Sequence, residues 1–305
     1  MSLASPVIGL VGVGAWGRHI LRDLRSLGAI VHAAGRHETS VQNAKQGGAA
    51  SVVDDPRDLP AECEGFVIAN RTVEHLGAIE ALLPRGLPIF SEKPLCPDLA
   101  AARRLPPSAE RLVFVMHKWR YHPAVLELAR IAAQEEFGPV VGLRTMRVGP
   151  DVPHSDVNAV WVLVPHDLSI ALEILGEVPR LVSNLPDPLT PSGGGAISRL
   201  TARNGAVGVV IEISSGHARP LRRITLACRD AVCELSDERY NVVEIRRRGA
   251  PRDAAPIERT VGNEMPLLEE LRTFLAFLSG GPEPKTCWRD ELKILEVIEG
   301  VQASL

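Results

Sequence analysis

The chain is poor in aromatic residues: four Trp, two Tyr and six Phe make up 4% of its 305 residues. That supply is too small for the run of exposed rings on which single-stranded nucleic acid stacks. A basic excess is missing as well. Thirty-four Lys and Arg stand against 37 Asp and Glu, for a formal net charge of −3, so no broad basic surface is available to displace phosphate counterions. No apolar run reaches the roughly 20 residues that span a bilayer. The apolar stretch from Pro6 to Trp16 has no basic segment before it, and Gly9, Gly12, Gly14 and Ala15 punctuate it, unlike a secretion signal. Cysteine is scarce and odd in number. Cys63, Cys96, Cys228, Cys233 and Cys287 include no Cys-x-x-Cys pair and read as reduced, mostly buried thiols. There is no Gly-x-Ser-x-Gly element, and His154, Asp156, His166 and Asp167 fit no zinc spacing, so neither a serine nucleophile nor a metal is expected. These absences predict a soluble, cytoplasmic protein that binds neither nucleic acid nor membrane.

What is present is a folded-enzyme composition, with 45% hydrophobic and 23% charged residues in a chain long enough for two domains. The first third alternates between two periods. Short apolar runs, Val7–Val11, Ile30–Ala34, Gly65–Ala69, Pro88–Phe90 and Leu112–His117, read as buried parallel strands. Between them lie helical patterns, as at Ala15–Leu27, where Ile20, Leu21, Leu24 and Leu27 share a face and Gly28 stops the helix. Such alternation predicts βαβ units and a doubly wound parallel sheet. After Tyr121 the pattern shifts to helices at Pro123–Glu136 and His166–Leu175, then to strands from Leu181 to Ile257 with turn signals at Arg203–Ala206 and Cys228–Ala231. Helices at Pro266–Leu278 and Arg289–Ala303 close the chain. The reading is α/β: a Rossmann-type domain over residues 1–120, then an α+β domain with an open, mostly antiparallel sheet over 121–305.

Gly12-Val13-Gly14-Ala15-Trp16-Gly17 is a Gly-x-Gly-x-x-Gly placed directly after the first strand and opening the first helix. In that context Gly12 allows the tight turn, Gly14 lets backbone approach a diphosphate, and Gly17 lets helix and strand close up. The free amides and dipole of the helix start favour the phosphate charge. The second strand ends in Ala33-Ala34-Gly35-Arg36, with no carboxylate to bond a ribose 2′-hydroxyl; Arg36 suits a 2′-phosphate, so NADP is expected, with NAD as the alternative. The cofactor-binding set is Gly12, Gly14, Ala15, Trp16, Gly17, Arg36, Asn70, Arg71, His75 and Glu92. Lys93 falls at the carboxyl end of a strand, where an ammonium would stabilise alkoxide character as a carbinol loses hydride, and Glu92 would orient it.

These residues resemble the glucose–fructose oxidoreductase/inositol dehydrogenase/MocA-like oxidoreductases. The resemblance runs through GVGAWG at 12–17, Thr72–His75, Ser91-Glu92-Lys93-Pro94-Leu95, Trp119–Pro123, Pro165–Leu168 and Pro266–Glu270. It implies a sugar, cyclitol or related polyol as substrate, a second domain whose sheet serves substrate and subunit contacts, and hence a homodimer or homotetramer. It further implies a cis peptide at Pro94 and an acid/base role for His166 at the start of its helix; Asp167 reads as a cap of that helix. Arg120, Tyr121 and Asp156 are the substrate candidates. One departure stands out: relatives carry an Asp four residues before this histidine, where this chain has Val162. Asp151 or Asp156 would have to replace it. Three readings therefore remain: a dehydrogenase using Lys93 and His166, a nucleotide-binding sensor with weakened turnover, or an enzyme that retains and recycles its nucleotide, as in eliminations or epimerisations run through transient oxidation.

Overall fold

The computed structural model describes residues 5–150, 156–190 and 194–305. Among these the chain makes two compact units, one ending at Lys118 and including Met265–Leu292, the other formed by Trp119–Glu264 and Lys293–Leu305. No helix among the described residues is long and apolar enough to cross a membrane.

The first unit begins with β1 (Val7–Val11), α1 (Gly17–Ser26), β2 (Ile30–Ala34), α2 (Glu38–Gln46) and β3 (Ser51–Val53). It continues with β4 (Gly65–Ile68), α3 (His75–Leu82), β5 (Ile89–Glu92), α4 (Leu99–Arg103), α5 (Ala109–Leu112) and β6 (Val113–Met116). The strands are parallel in the order β3-β2-β1-β4-β5-β6. The central strands are apolar because both faces are covered; β4 and β6 are buried at every residue. The edge strand β3, which the apolar-run criterion passes over, has only three half-buried residues. Strand order reverses between β1 and β4, and in such sheets the crevice at the carboxyl ends of those two strands is where ligands bind.

The second unit carries α6 (Pro123–Ala133), β7 (Val140–Val148), α7 (Ala159–Leu175), β8 (Arg180–Pro186), β9 (Gly195–Ala202) and β10 (Val207–Ser214). Then come β11 (Leu221–Cys228), β12 (Ala231–Ser236), β13 (Val242–Arg247) and β14 (Ile257–Thr260). Its eight strands run β14-β13-β12-β11-β7-β10-β9-β8, antiparallel except for β7 beside β10. Period-two burial marks one covered face, with Val207, Val209, Ile211 and Ile213 of β10 buried and Gly208, Val210 and Glu212 between them open or half-open. The β9–β10 reversal uses Arg203, Asn204 and Gly205 at φ 49°, 55° and 94°, the left-handed region that Asn and Gly tolerate.

The sequence divides the chain once, at residue 120, whereas the fold returns it to the first unit at Met265. The cause is α8 (Pro266–Leu278), whose buried stripe of Leu267, Leu271, Phe274 and Leu275 joins the core around Ile20, Leu24 and Phe90. Phe274 stacks on Phe90 with centroids 5.1 Å apart. Residues of α9 (Trp288–Ala303) as far as Leu292 group with the same unit.

Candidate active site

In the first unit the glycine turn is built by close approach. Gly12 has φ 86°, and a Cβ there would lie 2.5 Å from the Asn70 Cα two residues past β4; a Cβ on Gly17 would run into the Gly12 carbonyl oxygen. Around Gly14 there is open space, with nothing within 4 Å of the Cβ position. The first bond of α1 runs from Arg18 N–H to Gly14 C=O at 3.2 Å; Gly12 N–H is taken by Ala34 C=O and Val13 N–H by Ser40 Oγ, which leaves the amides of residues 14–17, ahead of the intrahelical ladder, to face an anion. This open glycine beside a helix start, walled by two glycines that admit no side chain, fits a dinucleotide diphosphate.

Lys93 follows β5 in a loop held at every neighbouring residue. The Glu92 carboxylate accepts the Trp16 indole N–H on one oxygen and the Lys93 amide N–H on the other, the latter at 3.2 Å. The Lys93–Pro94 peptide is cis. The Pro94 carbonyl faces His75 Nδ1 at 2.9 Å. Leu95 N–H donates to Glu291 Oε1 at 3.1 Å, and the other Glu291 oxygen accepts from His117 Nε2 at 2.8 Å, both side chains fully buried. Lys118 Nζ lies 4.5 Å from the Trp16 ring centroid. Behind the loop stands Glu270 of α8, 1% exposed. Burial, then repulsion from Glu92, pushes its carboxyl well above the usual range, with Lys118 opposing. Burial likewise pushes the neighbouring Cys96 thiol up to about 12, which keeps it unreactive at neutral pH.

Arg36 is exposed just past β2, where Gly35 N–H bonds Val53 C=O at 2.9 Å and so brings the loop after β3 alongside. In that loop Arg57 chelates Asp55, which holds the Asp55 carboxyl far below its usual range, with Arg36 contributing to the same effect. Arg71 is exposed, and the Asn70 amide reaches Glu74 at 3.4 Å. Ala15 is exposed and Trp16 half-buried at the N-cap of α1. His75 is buried, with 2% exposure.

In the second unit His166 is not at a helix start. α7 begins at Ala159, capped by Asn158 Oδ1 on the Val160 and Trp161 amides, and Pro165 lies inside it. The sequence reading stops at Pro165 because an interior proline costs a hydrogen bond; here the nearly continuous burial of α7 overrides that cost. One further correction follows. Asp167 caps nothing: it is 1% exposed in mid-helix and bonds Arg147 Nε at 2.9 Å, while the Arg147 guanidinium lies 4.9 Å over Trp119. And Val162, 2% exposed, stands one helical turn before His166 on the same face. Arg120 Nε donates to Glu173 at 3.0 Å; Tyr121 is buried, and Asp156 is half-buried ahead of α7. Asp151 and His154 lie outside the described residues.

The supporting groups Glu270, His117, Glu291 and Arg147 were not singled out as site residues. One of them had a visible signal: Glu270 sits in the buried stripe Leu267-Glu270-Leu271-Phe274, at helical spacing where an apolar residue belongs.

Comparison with known proteins agrees with this geometry. The family model described as "Oxidoreductase family, NAD-binding Rossmann fold" matches residues 7–117. Over those residues the chain is similar to the Gfo/Idh/MocA oxidoreductases. An inositol 2-dehydrogenase of Paracoccus denitrificans is 29% identical over 156 residues, 47% of this chain and 46% of that protein. A D-apiose dehydrogenase of Paraburkholderia graminis is 28% identical over 272 residues, 81% of this chain and 72% of that one. The match thus spans about half the length of the first relative and more of the second. Among solved structures, a levoglucosan dehydrogenase in complex with NADH shares the fold, with TM-score 0.84, 17% identity and coverage of 98% and 96% of the two chains. Residues 7–117 are therefore an NAD-binding Rossmann domain similar to that of these oxidoreductases.

Proposed function

We propose that this chain is an NAD(P)-dependent dehydrogenase moving hydride to or from a carbinol carbon of a sugar, cyclitol or related polyol. The observation that carries the reading is the Glu92–Leu95 loop, tied to the glycine turn through Trp16 and to buried acceptors behind it, with Lys93 at the carboxyl end of β5. When bound, a nicotinamide dinucleotide supplies or accepts the hydride. The turn amides of residues 14–17 hold its diphosphate charge. Lys93 Nζ stabilises negative charge on the reacting oxygen, and a His166 ring nitrogen takes the hydroxyl proton in oxidation and returns it in reduction. Arg120, Tyr121 and Asp156 make up the substrate-facing set in this reading. The names of the relatives, inositol and D-apiose dehydrogenases, favour a polyhydroxylated substrate.

The finer coenzyme choice rests on Arg36, exposed where a 2′-phosphate-binding residue is needed. Arg36→Ala is expected to weaken NADP binding about tenfold or more while leaving NAD binding within about twofold; titration calorimetry with both coenzymes checks it. The reading also includes a homodimer or homotetramer, since Val141, Val182, Leu185 and Ile257 of the eight-stranded sheet are exposed. Sedimentation equilibrium at micromolar concentration would show a monomer if this is wrong.

The decisive test is Lys93→Ala. Turnover of a polyol panel should fall by at least about 10³-fold, a loss of roughly 4 kcal/mol of transition-state stabilisation, with coenzyme affinity kept. Full activity in the variant would remove Lys93 from the mechanism. A second reading, a coenzyme-binding sensor, is favoured by one observation: the buried aliphatic side chain of Val162 where a carboxylate would assist His166. Tight coenzyme binding without turnover across the panel would select it.

A further inference from the structure

His75, placed by the sequence among the coenzyme-binding residues, is a buried side chain to which the dehydrogenase reading gives no step. It opens α3, and its two ring nitrogens face two backbone carbonyls: Nδ1 lies 2.9 Å from Pro94 O and Nε2 3.2 Å from Asn70 O. A carbonyl oxygen only accepts. A neutral imidazole has one N–H and one bare lone pair, so it can satisfy one of the two oxygens and must press its lone pair against the other. The imidazolium donates to both.

The two carbonyls belong to the two halves of the site in this unit. Asn70 lies two residues past β4 and abuts Gly12 of the coenzyme turn, whose Cβ position is 2.5 Å from the Asn70 Cα. Pro94 directly follows Lys93. The ring therefore joins the floor of the coenzyme turn to the peptide that aims the lysine, at a place with 2% exposure where water does not substitute for a lost partner.

We propose that His75 is a positioning residue for Lys93, a doubly donating imidazolium strut between the Asn70 and Pro94 carbonyls. This rests on the reading of Lys93 as the group that polarises the reacting oxygen. With both bonds made, the peptide after Lys93 keeps a fixed distance from the coenzyme turn, and the ammonium keeps its place against the reacting oxygen. A shift of the order of 1 Å in such a group is enough to cost about 10²-fold in rate. Uncompensated burial of a cation is costly, and the two carbonyl dipoles, one at each ring nitrogen, are what offset it.

The test has two arms on the full-length chain. In the first, the apoprotein is labelled with 15N in its histidine rings, and the His75 signals are assigned through the bonded backbone. Both ring nitrogens are expected in the protonated range at pH 7; one protonated and one bare nitrogen overturns the proposal. In the second, His75→Gln, which cannot donate at both positions, is compared with the parent and with Lys93→Ala. The expectation is a fall in kcat of about tenfold or more, with KM and coenzyme affinity within about twofold, and no further fall when His75→Gln is added to Lys93→Ala. A loss carried by KM, or an equal further loss in the Lys93→Ala background, overturns it. If Lys93→Ala alone keeps full activity, the role of Lys93 fails while the nitrogen spectrum still decides the state of His75. A His75→Gln chain that does not fold leaves that spectrum as the deciding measurement.

Discussion

At position 162 one methyl-bearing side chain separates two chemistries. A carboxylate there would stand one turn before His166 on α7 and raise the basicity of its ring. Val162→Asp is therefore expected to move the rising limb of any His166-dependent rate profile to higher pH. It should also lower stability by on the order of 3 kcal/mol, because the site is buried and apolar. Initial rates against pH, paired with urea unfolding of both proteins, check the two halves. Arg147 is a second sensitive residue. Replacing it with Leu leaves Asp167, 1% exposed, as an uncompensated buried charge, with an expected loss of about 3–5 kcal/mol; an unfolding midpoint equal to that of the parent would contradict this. At this scale much was legible. Gly12, Gly14 and Gly17 announce themselves by spacing, and Lys93 by its place after a strand. Arg147 does not, since nothing in a β-strand sequence says which distant carboxylate its guanidinium will meet.

Among the elements, α7 shows how a local rule yields to tertiary burial. Pro165 marks a helix boundary by propensity, yet Ala159–Leu175 is a continuous helix because its apolar residues are buried before the proline as well as after it. Its start depends on Asn158, whose side-chain oxygen takes two amides. Asn158→Ala should cost about 1 kcal/mol, read as a lowered unfolding midpoint with unchanged denaturant slope. The turn into α1 tolerates less. Gly17→Ala forces a methyl group into the Gly12 carbonyl, so coenzyme binding should be lost along with the turn; calorimetry showing parental affinity would refute this. The parallel strands and hairpins were readable because their burial follows simple periods. The edge strand β3 was not, because three half-buried residues carry no period.

Over the whole molecule, Glu270 and Glu136 make stability respond to pH in opposite directions. Glu270 keeps its proton in the folded state well above the value of a free carboxyl, about 4.5. Below that value both states are protonated and nothing is lost. Above it the unfolded chain ionises first, so stability falls with rising pH by about 1.4 kcal/mol per unit until the folded carboxyl itself ionises. Glu270→Gln should remove that decline. Chemical unfolding at several pH values reads it directly, and parallel curves for parent and variant would exclude the effect. Glu136 works the other way. Arg259 and then Arg130 lower its carboxyl to about 2, so its contribution is present above about 4.5 and is lost as pH falls towards 2. The parent should therefore be most stable in mildly acidic solution.

From the order of its residues alone, the chain determined its parallel sheet, its glycine turn and its lysine loop, because each is set by neighbours within one turn or one strand; that position 162 lacks an acid is visible only against the family the chain resembles. Only the tertiary structure decided that α8 completes the first unit, that Glu270 and Glu291 stand behind the lysine loop, and that His75 spans two carbonyls. Those facts depend on which distant segments share a buried space, and burial is a property of the packed chain that no local run of residues contains.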